Sequence, residues 1–567
     1  MPSPPKFVIV GAGTSGSLLA SRLSKLGKTL LLEAGGSNVI TPLSALPGSA
    51  MTPWLHVPLG YLHTMNDKRT NWGYKTHIEE RGGEGGGGMR EINYPRGKVL
   101  GGCSSINGMI YMKGNDGDYD GWNAEAGTEL WGSNAMKSAF GRLSKMGWPS
   151  VRQRLRWDVL DDFAVGASSV RGCPIRRDTF DNSNEEAVGY FNVNQDNGRR
   201  VSAYQCFVDG GWGGLKGRGK VTEYNGGKLT VRSNATVKRL LFEDDVVEGG
   251  SRDKVVGVEW WDTDAEGTVD DTTVNREIVE GGGGEVILAA GAIGSPQLLS
   301  VSGVGSGRTD ERIALPGVGE NLHDHLQLRS VYRLKEGTVT LNSTSSTIFG
   351  QVKIGLDYIL NRSGPLSMAP SQLGCFLKSS PDLPYPDLQY HCQPLSLDKF
   401  GDPLHPFPGF TAAVCNLRPT SRGTVKARSG DIRDGVDVDN NYLATENDRE
   451  VAARGLRITR EIVLGAMEEY NPKEVLPGME YETMEHLADA ATRIGTSIFH
   501  PVGTCKMGSA SDEMAVVDEE LRVRGVRNLR VVDASVMPRI TSGNTNTPTL
   551  ALAERWVEMY IDGQTSQ

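Results

Sequence analysis

The fold of this chain is decided by the stretch Phe7-Val8-Ile9-Val10-Gly11-Ala12-Gly13-Thr14-Ser15-Gly16. A helical pattern follows over Ser17 to Lys25, and a second apolar run, Thr29 to Leu32, ends at Glu33. Strand, glycine-rich turn, helix and strand in this order are typical of a βαβ unit that binds a dinucleotide, with the acid placed to accept hydrogen bonds from a ribose. The sequence therefore predicts a nucleotide-binding domain at the start of the chain.

The residues of the turn have separate predicted roles. Gly11 permits a tight turn, Gly13 lets the backbone approach a pyrophosphate, and Gly16 permits close packing of the helix against the strand. Thr14 and Ser15 open the helix, whose free N–H groups and partial positive charge would face the phosphates.

The composition is that of an ordinary globular protein. With 567 residues the chain is too long for one hydrophobic core, so two domains are expected. No apolar run approaches the roughly 18 residues that span a bilayer, and the net charge of −9 without a basic stripe argues against a nucleic-acid partner. Because an apolar strand begins at Phe7, we expect an intracellular, soluble protein whose targeting peptide, if it had one, has been removed.

The cysteines and histidines are not spaced as metal ligands. The seven cysteines are scattered without a CxxC pair, which fits a reducing compartment and neither a disulfide framework nor a zinc site. His323 and His325 would share one side of an extended segment, but no third ligand is near them in the sequence. We therefore expect no bound metal.

Segments of nucleotide-binding character lie at the start, in the middle and at the end of the chain. Lys228 to Leu241 is predicted as one continuous strand with Val255 to Trp260 as its hairpin partner, and Glu285 to Gly294 as a buried strand that ends in small residues. The glycine-rich segments Arg81 to Arg90 and Glu280 to Gly284 are expected to be insertions in loops or hairpin tips. Other strands are predicted at Asp387 to His391 and Gly409 to Val414, and helices at Ile354 to Asn361, Glu446 to Glu469 and Asn546 to Tyr560. This order predicts a discontinuous nucleotide-binding domain with a second domain inserted into it.

Further motifs are distributed over the whole chain. They are Pro95 to Asn107, Gly291 to Gly305, Pro316 to His325, His500 to Gly508, Val531 to Ser535 and Gly543 to Pro548. In sequence and in order these segments resemble the signatures of the glucose-methanol-choline (GMC) oxidoreductases, in particular the choline dehydrogenase-like and alcohol dehydrogenase branch. Together they are far more specific than one glycine turn.

The resemblance implies an α/β fold in which a Rossmann-like FAD-binding domain carries an inserted α+β substrate-binding domain built on an antiparallel sheet. We expect the FAD-binding domain at residues 1–110, 225–322 and 500–567. The substrate-binding domain would then comprise residues 111–224 and 323–499.

The resemblance also implies FAD as the cofactor. Some members of the family bind FAD covalently through a histidine that directly follows the paired serines of the first signature; Ile106 takes that place here, which predicts a noncovalent flavin. In addition to the glycine turn and Glu33, the implied cofactor residues are Ala34, Arg96, Val99, Gly101, Gly102, Ser104, Asn107, Gly108, Val237, Ala290, Gly291, Asp533, Ala534, Thr547 and Pro548.

His500 and Asn546 match the active-site pair of the family beside the flavin N5 atom. Oxidation of an alcohol removes the hydroxyl proton and transfers the α-hydrogen as hydride, and a histidine with a pKa near neutrality suits the proton step. Asn546 would hold the substrate oxygen. Asn544 is the neighbouring candidate and ranks below it, because its place in Gly-Asn-Thr-Asn suits a turn.

The substrate is expected to be an uncharged, partly apolar primary alcohol, which would be oxidised to an aldehyde. Gln327, Tyr390 and His391 are candidates for the pocket, whose wall is placed in Pro384 to Asn416 with Gln393, Leu395, Phe400, Leu404, Phe407 and Phe410. The electron acceptor would be O2 or a quinone, and an oligomer is possible.

Other functions on this fold stay open. Choline oxidation is one, although choline-oxidising relatives have a carboxylate where this chain has Gln327, and a quaternary cation seeks that charge. Fatty-acid photodecarboxylation would require a cysteine and an arginine near positions that hold Ser371 and His391 here. A hydroxynitrile lyase or a nonenzymatic flavoprotein would leave the redox site unused.

Overall fold

The computed structural model describes residues 3–37, 53–81, 87–210, 221–264, 268–281, 283–305, 311–369, 371–398 and 402–565. The strands are, in chain order, β1 (Phe7–Val10), β2 (Thr29–Leu32), β3 (Tyr74–Glu79), β4 (Met89–Tyr94), β5 (Ile175–Arg176), β6 (Ala187–Tyr190), β7 (Gln195–Asp196), β8 (Arg199–Arg200), β9 (Val221–Tyr224), β10 (Leu229–Arg232), β11 (Ala235–Phe242), β12 (Val255–Thr263), β13 (Val269–Ile278), β14 (Glu285–Leu288), β15 (Val304–Gly305), β16 (Ile313–Ala314), β17 (Leu326–Arg333), β18 (Leu373–Leu377), β19 (Leu388–Gln393), β20 (Gly409–Asn416), β21 (Thr424–Ala427), β22 (Val436–Asp439), β23 (Lys473–Leu476), β24 (Gly495–Ser497) and β25 (Leu529–Val531).

The helices alternate with these strands. They are α1 (Thr14–Leu23), α2 (Tyr61–Thr64), α3 (Asp116–Ala126), α4 (Ser133–Lys145), α5 (Asp158–Arg171), α6 (Ala203–Phe207), α7 (Glu243–Val246), α8 (Gly291–Val301), α9 (Leu341–Ser345), α10 (Ile348–Asn361), α11 (Glu446–Ala466), α12 (Met484–Ile494) and α13 (Asn546–Thr565). Within the described ranges, none of them is long and apolar enough to cross a membrane. Residues 82–86, Gly282 and Phe400, which belong to the predicted insertions and pocket wall, lie outside the described residues.

The first sheet confirms the predicted βαβ unit. Its strand order is β25-β14-β1-β2-β10-β9, and all neighbours are parallel except the edge pair β10 and β9. Every residue of β1 is buried, as expected for a strand covered on both faces. Because β1 pairs with β2 on one side and with β14 on the other, the chain reverses its direction of travel across the sheet at β1. Ligands of such sheets bind outside the carboxyl ends of the strands at this point.

The predicted continuous strand from Lys228 to Leu241 is wrong. The chain breaks at Asn234, whose φ of 55° lies in the left-handed region that asparagine tolerates. β10 before the break belongs to the first sheet, and β11 after it pairs with β12 in a separate three-stranded sheet. The hairpin of β11 with β12 is confirmed.

The second sheet has the order β23-β17-β20-β19-β18-β6-β5, with β24 also paired to β17. It is antiparallel except for the short pair β5 and β6. Side chains alternate along β19, so Leu388, Tyr390 and Cys392 face the apolar cluster that includes α5 and α11. Gln327, His391 and Gln393, on the opposite face, line a cavity together with residues at the carboxyl ends of β1 and β2.

The core of the first sheet extends beyond the predicted boundaries. It includes Trp122, Phe140 and Tyr204, from the stretch 111–224 that was expected in the inserted domain. Glu554 of α13 explains the attachment of α4, because Arg142 forms an ion pair with this fully buried carboxylate at 3.1 Å. Strand β9 likewise joins the first sheet ahead of residue 225.

Candidate active site

A single cavity of about 1070 Å³ connects the two sheets. One end is lined by Gly11, Gly13 and Glu33 at the carboxyl ends of β1 and β2, and the other by Gln327 and His391 of the second sheet. Ligand pockets of proteins usually measure about 300–1,000 Å³. The volume and the length of this cavity therefore suit a long ligand and a small one beside it.

The three glycines of the first turn differ in the structural reason for the absence of a side chain. Gly11 has a φ of 100°, and a Cβ there would lie 2.6 Å from the Ala289 carbonyl oxygen. A Cβ at Gly16 would lie 1.9 Å from the Gly11 carbonyl oxygen. Both are thus required by the packing of the protein itself. Gly13 has an ordinary φ of −76°, and the nearest atoms to a Cβ there are 4.0 Å away. The packing of the protein thus does not require a glycine at position 13, where the open backbone leaves room for a ligand.

Glu33 is fully buried at this end of the cavity. One carboxylate oxygen accepts a hydrogen bond from the Ala12 N–H at 2.8 Å and the other from the Gly35 N–H at 2.9 Å. Burial outweighs these two bonds and raises the pKa of Glu33 to about 7. Ribose hydroxyls that donate to this carboxylate would favour its charged form.

We expect this raised pKa to reduce the stability of the ligand-free protein as pH increases. The unfolded carboxyl loses its proton near pH 4.5 and the folded one near pH 7, so the folded state binds more protons in that window and its stability falls by about 3 kcal/mol across it. Urea denaturation of the ligand-free protein at pH 5 and pH 8 measures this loss. Glu33→Gln should show a correspondingly smaller loss and the exposed Glu79→Gln the full one; equal losses in all three proteins would contradict the assignment.

His500 lies in the middle of the cavity wall and is held by three neighbours. Its backbone N–H donates to Asp324 Oδ1 at 2.7 Å, its Nδ1 lies 3.1 Å from His325 Nδ1, and its Nε2 lies 3.1 Å from Asn544 Nδ2. Asp324 is itself fixed by hydrogen bonds from the hydroxyls of Ser497 and Tyr442. The position of the imidazole is therefore set from both ring edges and from the backbone.

The hydrogen-bond partners also fix the tautomer of His500. The carbonyl oxygen of Leu417 can only accept, so His325 Nε2, 3.2 Å away, carries a proton and donates it. In a neutral His325 the other nitrogen, Nδ1, must then accept, and His500 Nδ1 is the donor. The remaining nitrogen of His500, Nε2, keeps its lone pair, which matches the donating amide nitrogen of Asn544. The lone pair points where a proton can be taken up from a ligand in the cavity.

The pKa of His500 lies well below its ordinary value, because the ring is buried and its neighbours His325 and His391 oppose a further positive charge. Burial lowers the pKa of His325 to about 4 as well. This direction differs from the near-neutral pKa that the sequence analysis expected of a proton-accepting histidine. A lowered pKa suits a base, since the His500 ring is then uncharged at neutral pH.

The asparagine beside His500 is Asn544, and not Asn546 as the sequence indicated. Asn546 is the first residue of α13, and its Oδ1 accepts from the Thr14 hydroxyl at 2.9 Å, which turns it toward the glycine turn. Asn544 lies in the preceding turn, where Gln389 Nε2 donates to its Oδ1 at 3.4 Å and so directs its Nδ2 at His500. Both asparagines line the cavity.

The family model described as GMC oxidoreductase matches this chain in two parts, over residues 6–327 and 419–553. The chain is a GMC oxidoreductase.

Curated relatives agree over nearly the whole length of this GMC oxidoreductase. An alcohol dehydrogenase [acceptor] of Pseudomonas putida is 33% identical over 576 residues, which cover 98% of this chain and 95% of the relative. An oxygen-dependent choline dehydrogenase of Staphylococcus saprophyticus is 34% identical over 575 residues, covering 97% and 93%.

Solved structures share the fold. Pyridoxine 4-oxidase from Mesorbium loti superimposes with a TM-score of 0.76 at 25% identity over 98% of this chain and 99% of the other. A variant of formate oxidase from Aspergillus oryzae superimposes with a TM-score of 0.82 at 22% identity over 100% of this chain and 99% of the other. The two-sheet architecture is therefore that of the GMC flavoenzymes.

The residues of this GMC oxidoreductase fit an FAD along the cavity. Gly13 leaves room at the backbone, and Gly102, with a φ of 52°, places the second glycine turn against the first, where a Cβ would lie 2.7 Å from Gly13 Cα. Beside the glycine turn, Asn546 Nδ2 lines the cavity and is buried without a hydrogen-bond partner among the described residues. A polar group of a bound flavin would satisfy this atom.

The structure separates the predicted cofactor and pocket residues into two groups. Those that line the cavity are Gly11, Gly13, Thr14, Ser15, Glu33, Ala34, Arg96, Gly102, Asn107, Gly108, Val237, Ala290, Gly291, Asp533, Ala534, Gln327 and His391. Among the described residues, those that do not line it are Gly16, Val99, Gly101, Ser104, Thr547, Pro548 and Tyr390.

Each residue of the second group has another role or position. Val99 packs against Leu55 and Ile106, and the Ser104 hydroxyl accepts from the Ala203 N–H at 2.9 Å. The Tyr390 hydroxyl donates to the Gly455 carbonyl at 3.1 Å on the far face of the second sheet. Gly16 allows α1 to pack against the first glycine turn, and Gly101 has a positive φ in the second turn. Thr547 and Pro548 follow Asn546 in α13.

Asp533 lines the cavity, but its oxygens are engaged inside the protein. Oδ2 accepts from the Gly291 N–H at 2.8 Å and the Ser295 hydroxyl at 2.6 Å, and Oδ1 accepts from Ser535. Its first role is thus to hold the Gly291 turn, whose φ of 79° suits glycine. These bonds within the protein engage both carboxylate oxygens, and the contact with cofactor hydroxyls stays a prediction.

Sequence reasoning missed the residues that act behind the cavity wall. His325 and Asp324 orient His500, and the buried Arg200 donates to Asn107 Oδ1 at 2.8 Å. The available signal was the segment Pro316 to His325, which resembles a family signature and ends in the His-Asp-His motif. Groups suited to hold a metal ion are absent from the described part of the chain.

Proposed function

We propose that this GMC oxidoreductase oxidises an uncharged primary alcohol to an aldehyde with FAD as its cofactor. The observation that carries the proposal is the lone pair of His500 Nε2, which is held toward the cavity by the chain from Leu417 through His325. A fixed, uncharged base beside a cavity for a long cofactor is what the removal of a hydroxyl proton requires. Family membership and the curated alcohol dehydrogenase relative support it.

In the proposed reaction, His500 accepts the hydroxyl proton of the alcohol at Nε2. The alcohol hydroxyl would take the place of Asn544 Nδ2 as the partner of His500 Nε2. Asn544 Nδ2 would then donate to the alcohol oxygen and hold it as negative charge develops. His325 Nδ1 accepts a hydrogen bond from the Nδ1–H of His500. This bond keeps the His500 ring in place while that ring becomes cationic. Bound FAD would supply the acceptor for the hydride.

We infer a noncovalent flavin, because Ile106 offers no nucleophile at the place where covalent members have histidine. Ile106 lines the cavity and packs against Leu55 and Val99, so its side chain is part of the apolar wall. Acid precipitation should release the flavin into the supernatant; flavin that stays with the precipitate would contradict this.

The wall opposite His500 favours an uncharged alcohol. Gln327 Oε1, Gln393 Oε1 and both ring nitrogens of His391 are buried without partners among the described residues. Burial lowers the pKa of His391 to about 3, so this ring is neutral. Hydroxyl or carbonyl groups of a substrate, or water, would satisfy these atoms.

Choline is the second candidate, because several relatives are choline dehydrogenases. Gln327 faces the cavity where a carboxylate would favour the trimethylammonium group, and Asp324 is occupied by its own hydrogen bonds. We therefore rank choline below uncharged alcohols.

The test is anaerobic flavin reduction with a panel of primary alcohols and choline. Bleaching by uncharged alcohols more readily than by choline supports the proposal, and the reverse order assigns the choline reaction. Oxygen consumption compared with dye or quinone reduction identifies the acceptor. If no alcohol bleaches the flavin, the proposal is wrong, and cyanide release or light-driven loss of CO2 would then identify the lyase or the decarboxylase.

We expect substitution of the two asparagines to affect different properties. Asn544→Ala should lower the rate of flavin reduction by roughly 10²-fold, because one donor to the reacting oxygen is lost, and leave the flavin content unchanged. Asn546→Ala removes the partner of Thr14 and an N–H aimed at the cofactor, so it should lower flavin retention first. Stopped-flow reduction and the ratio of flavin to protein absorbance separate these effects; the opposite assignment would restore Asn546 as the active-site partner.

A further inference from the structure

Arg200 of β8 is a buried arginine that the proposed reaction does not use. It is 1% exposed, and its Nη1 donates to Asn107 Oδ1 at 2.8 Å. Among the described residues, its Nε and Nη2 have no hydrogen-bond partner, and no carboxylate forms an ion pair with it. Arg530, which is also buried, has such a partner in Glu285 at 3.1 Å. Burying a charge without a partner is costly, which makes Arg200 a candidate for a functional role.

Arg200 is charged at neutral pH. Burial lowers the pKa of its guanidinium to about 9, which is still above neutrality. The phenol of Tyr358 lies near it, but burial raises the pKa of this phenol, and its hydroxyl donates to the Gly198 carbonyl at 3.2 Å. The phenol is therefore uncharged and does not compensate the cation. Arg200 thus places a positive charge directly behind Asn107, which lines the cavity.

The contact with Arg200 determines which way the amide of Asn107 points. Its Oδ1 accepts from Arg200 Nη1 and also from the Met109 N–H at 2.9 Å. Both partners can only donate, so the accepting atom is the amide oxygen and not the nitrogen. The Nδ2 of Asn107 is then the polar atom that remains for a ligand in the cavity. A charged donor on the oxygen also polarises the amide, which strengthens its N–H groups as donors.

The reaction proposed above brings negative charge into this cavity. A hydride carries two electrons and one proton, so its transfer from an alcohol to a neutral flavin leaves one negative charge on the flavin. The hydroxyl proton of the alcohol goes to His500. A cation that is already fixed behind the cavity wall stabilises the new charge without any reorganisation during the reaction.

We propose that Arg200, acting through Asn107, stabilises the reduced flavin and so raises the reduction potential of the bound FAD. This inference rests on the proposed function, because it takes FAD as the cofactor. Arg200 is a positioning residue, since Asn107 lines the cavity and Arg200 does not. The alternative is a structural tie between β8 and the segment after the second glycine turn, and such a tie needs the hydrogen bond but not the charge.

The test is the two-electron reduction potential of the bound FAD, measured anaerobically against a dye of known potential and without alcohol. Arg200→Gln removes the charge and keeps an amide that can donate. We expect it to lower the potential by at least about 30 mV, which corresponds to a tenfold change in the equilibrium constant of reduction. Arg200→Lys keeps the charge and should retain most of the potential. Equal potentials in Arg200→Gln and the unchanged enzyme would overturn the proposal.

Controls separate the charge of Arg200 from damage to the fold. Arg199→Gln removes the same charge from the neighbouring residue of β8, whose side chain points to the other side of the strand, and should leave the potential unchanged. Asn107→Ala should itself lower the potential, and Arg200→Gln should then add little; fully additive shifts would contradict the route through Asn107. If Arg200→Gln does not fold, Asn107→Ala decides, because an unchanged potential in that variant also overturns the proposal.

The outcomes for the proposed function are separate, because the dye and not an alcohol sets the redox equilibrium. A chain that binds no FAD refutes the cofactor, and an enzyme that no alcohol reduces refutes the alcohol reaction while its potential can still be measured. FAD that binds with the same potential in all variants refutes only the role of Arg200.

Discussion

His500→Ala is expected to lower the rate of flavin reduction by an alcohol by about 10²- to 10⁴-fold, the range that a positioned general base contributes. The flavin content should not change, because His500 contacts Asp324, His325 and Asn544 and none of the residues of the glycine turns. Stopped-flow reduction under anaerobic conditions measures the effect. His486→Ala, on the exposed start of α12, is the matched control and should react like the unchanged enzyme.

The pH dependence provides a second measurement of the same residue. Burial and its histidine neighbours hold the pKa of His500 well below the ordinary value, and the base must be uncharged to accept a proton. We therefore expect kcat/KM to be independent of pH above about 6.5 and to fall only at lower pH. A rise of kcat/KM between pH 7 and 8 would contradict the assignment of His500 as the base.

The second large effect is expected at the glycine turn. Gly13→Ala should leave the flavin-free protein as stable as before, because a Cβ there meets nothing closer than 4.0 Å in the protein. The new methyl group would occupy space next to the cofactor, where overpacking costs about 1–3 kcal/mol, and would weaken FAD binding about 5- to 150-fold. Titration of flavin-free protein with FAD measures the affinity.

Gly16→Ala, in contrast, should lower the stability of the flavin-free protein. Its Cβ would lie 1.9 Å from a backbone oxygen, so the helix must move away from the strand and the flavin-free protein itself loses stability. Gly141→Ala on α4, where a Cβ meets nothing within 4 Å, is the control for both. If Gly13→Ala destabilised the flavin-free protein as strongly as Gly16→Ala, the assignment of Gly13 to the cofactor would fail.

The fold could be predicted where local sequence decides it. Strands β1 and β2 were predicted to the residue, because the turn between β1 and α1 contains the glycines that its geometry requires. The break at Asn234 could not be read from the alternation of Lys228 to Leu241, since apolar periodicity continues through it. A single residue with positive φ moved the second half of the predicted strand to another sheet.

The site was predicted in part, and the misses have physical causes. Tyr390 and His391 are adjacent in a strand and so face opposite sides, which the period of two could have revealed. The start of α13 at Asn546 was predicted, but the choice between Asn544 and Asn546 depends on the distant contacts of each with Gln389 and Thr14, which local sequence does not show. For α10, periodicity predicted part of the helix, but a periodic apolar stripe is the same whether protein or solvent covers it.

The hydrogen bond from Thr14 to Asn546 joins residues that are 532 positions apart. The first glycine turn is complete as soon as its strand and helix exist, whereas Asn546 is synthesised 532 residues after Thr14. A growing chain can therefore form the glycine turn of the cofactor site before Asn546, which contacts this turn, has been made. We expect a product that is truncated before Asn546 to retain less flavin than one that contains this residue.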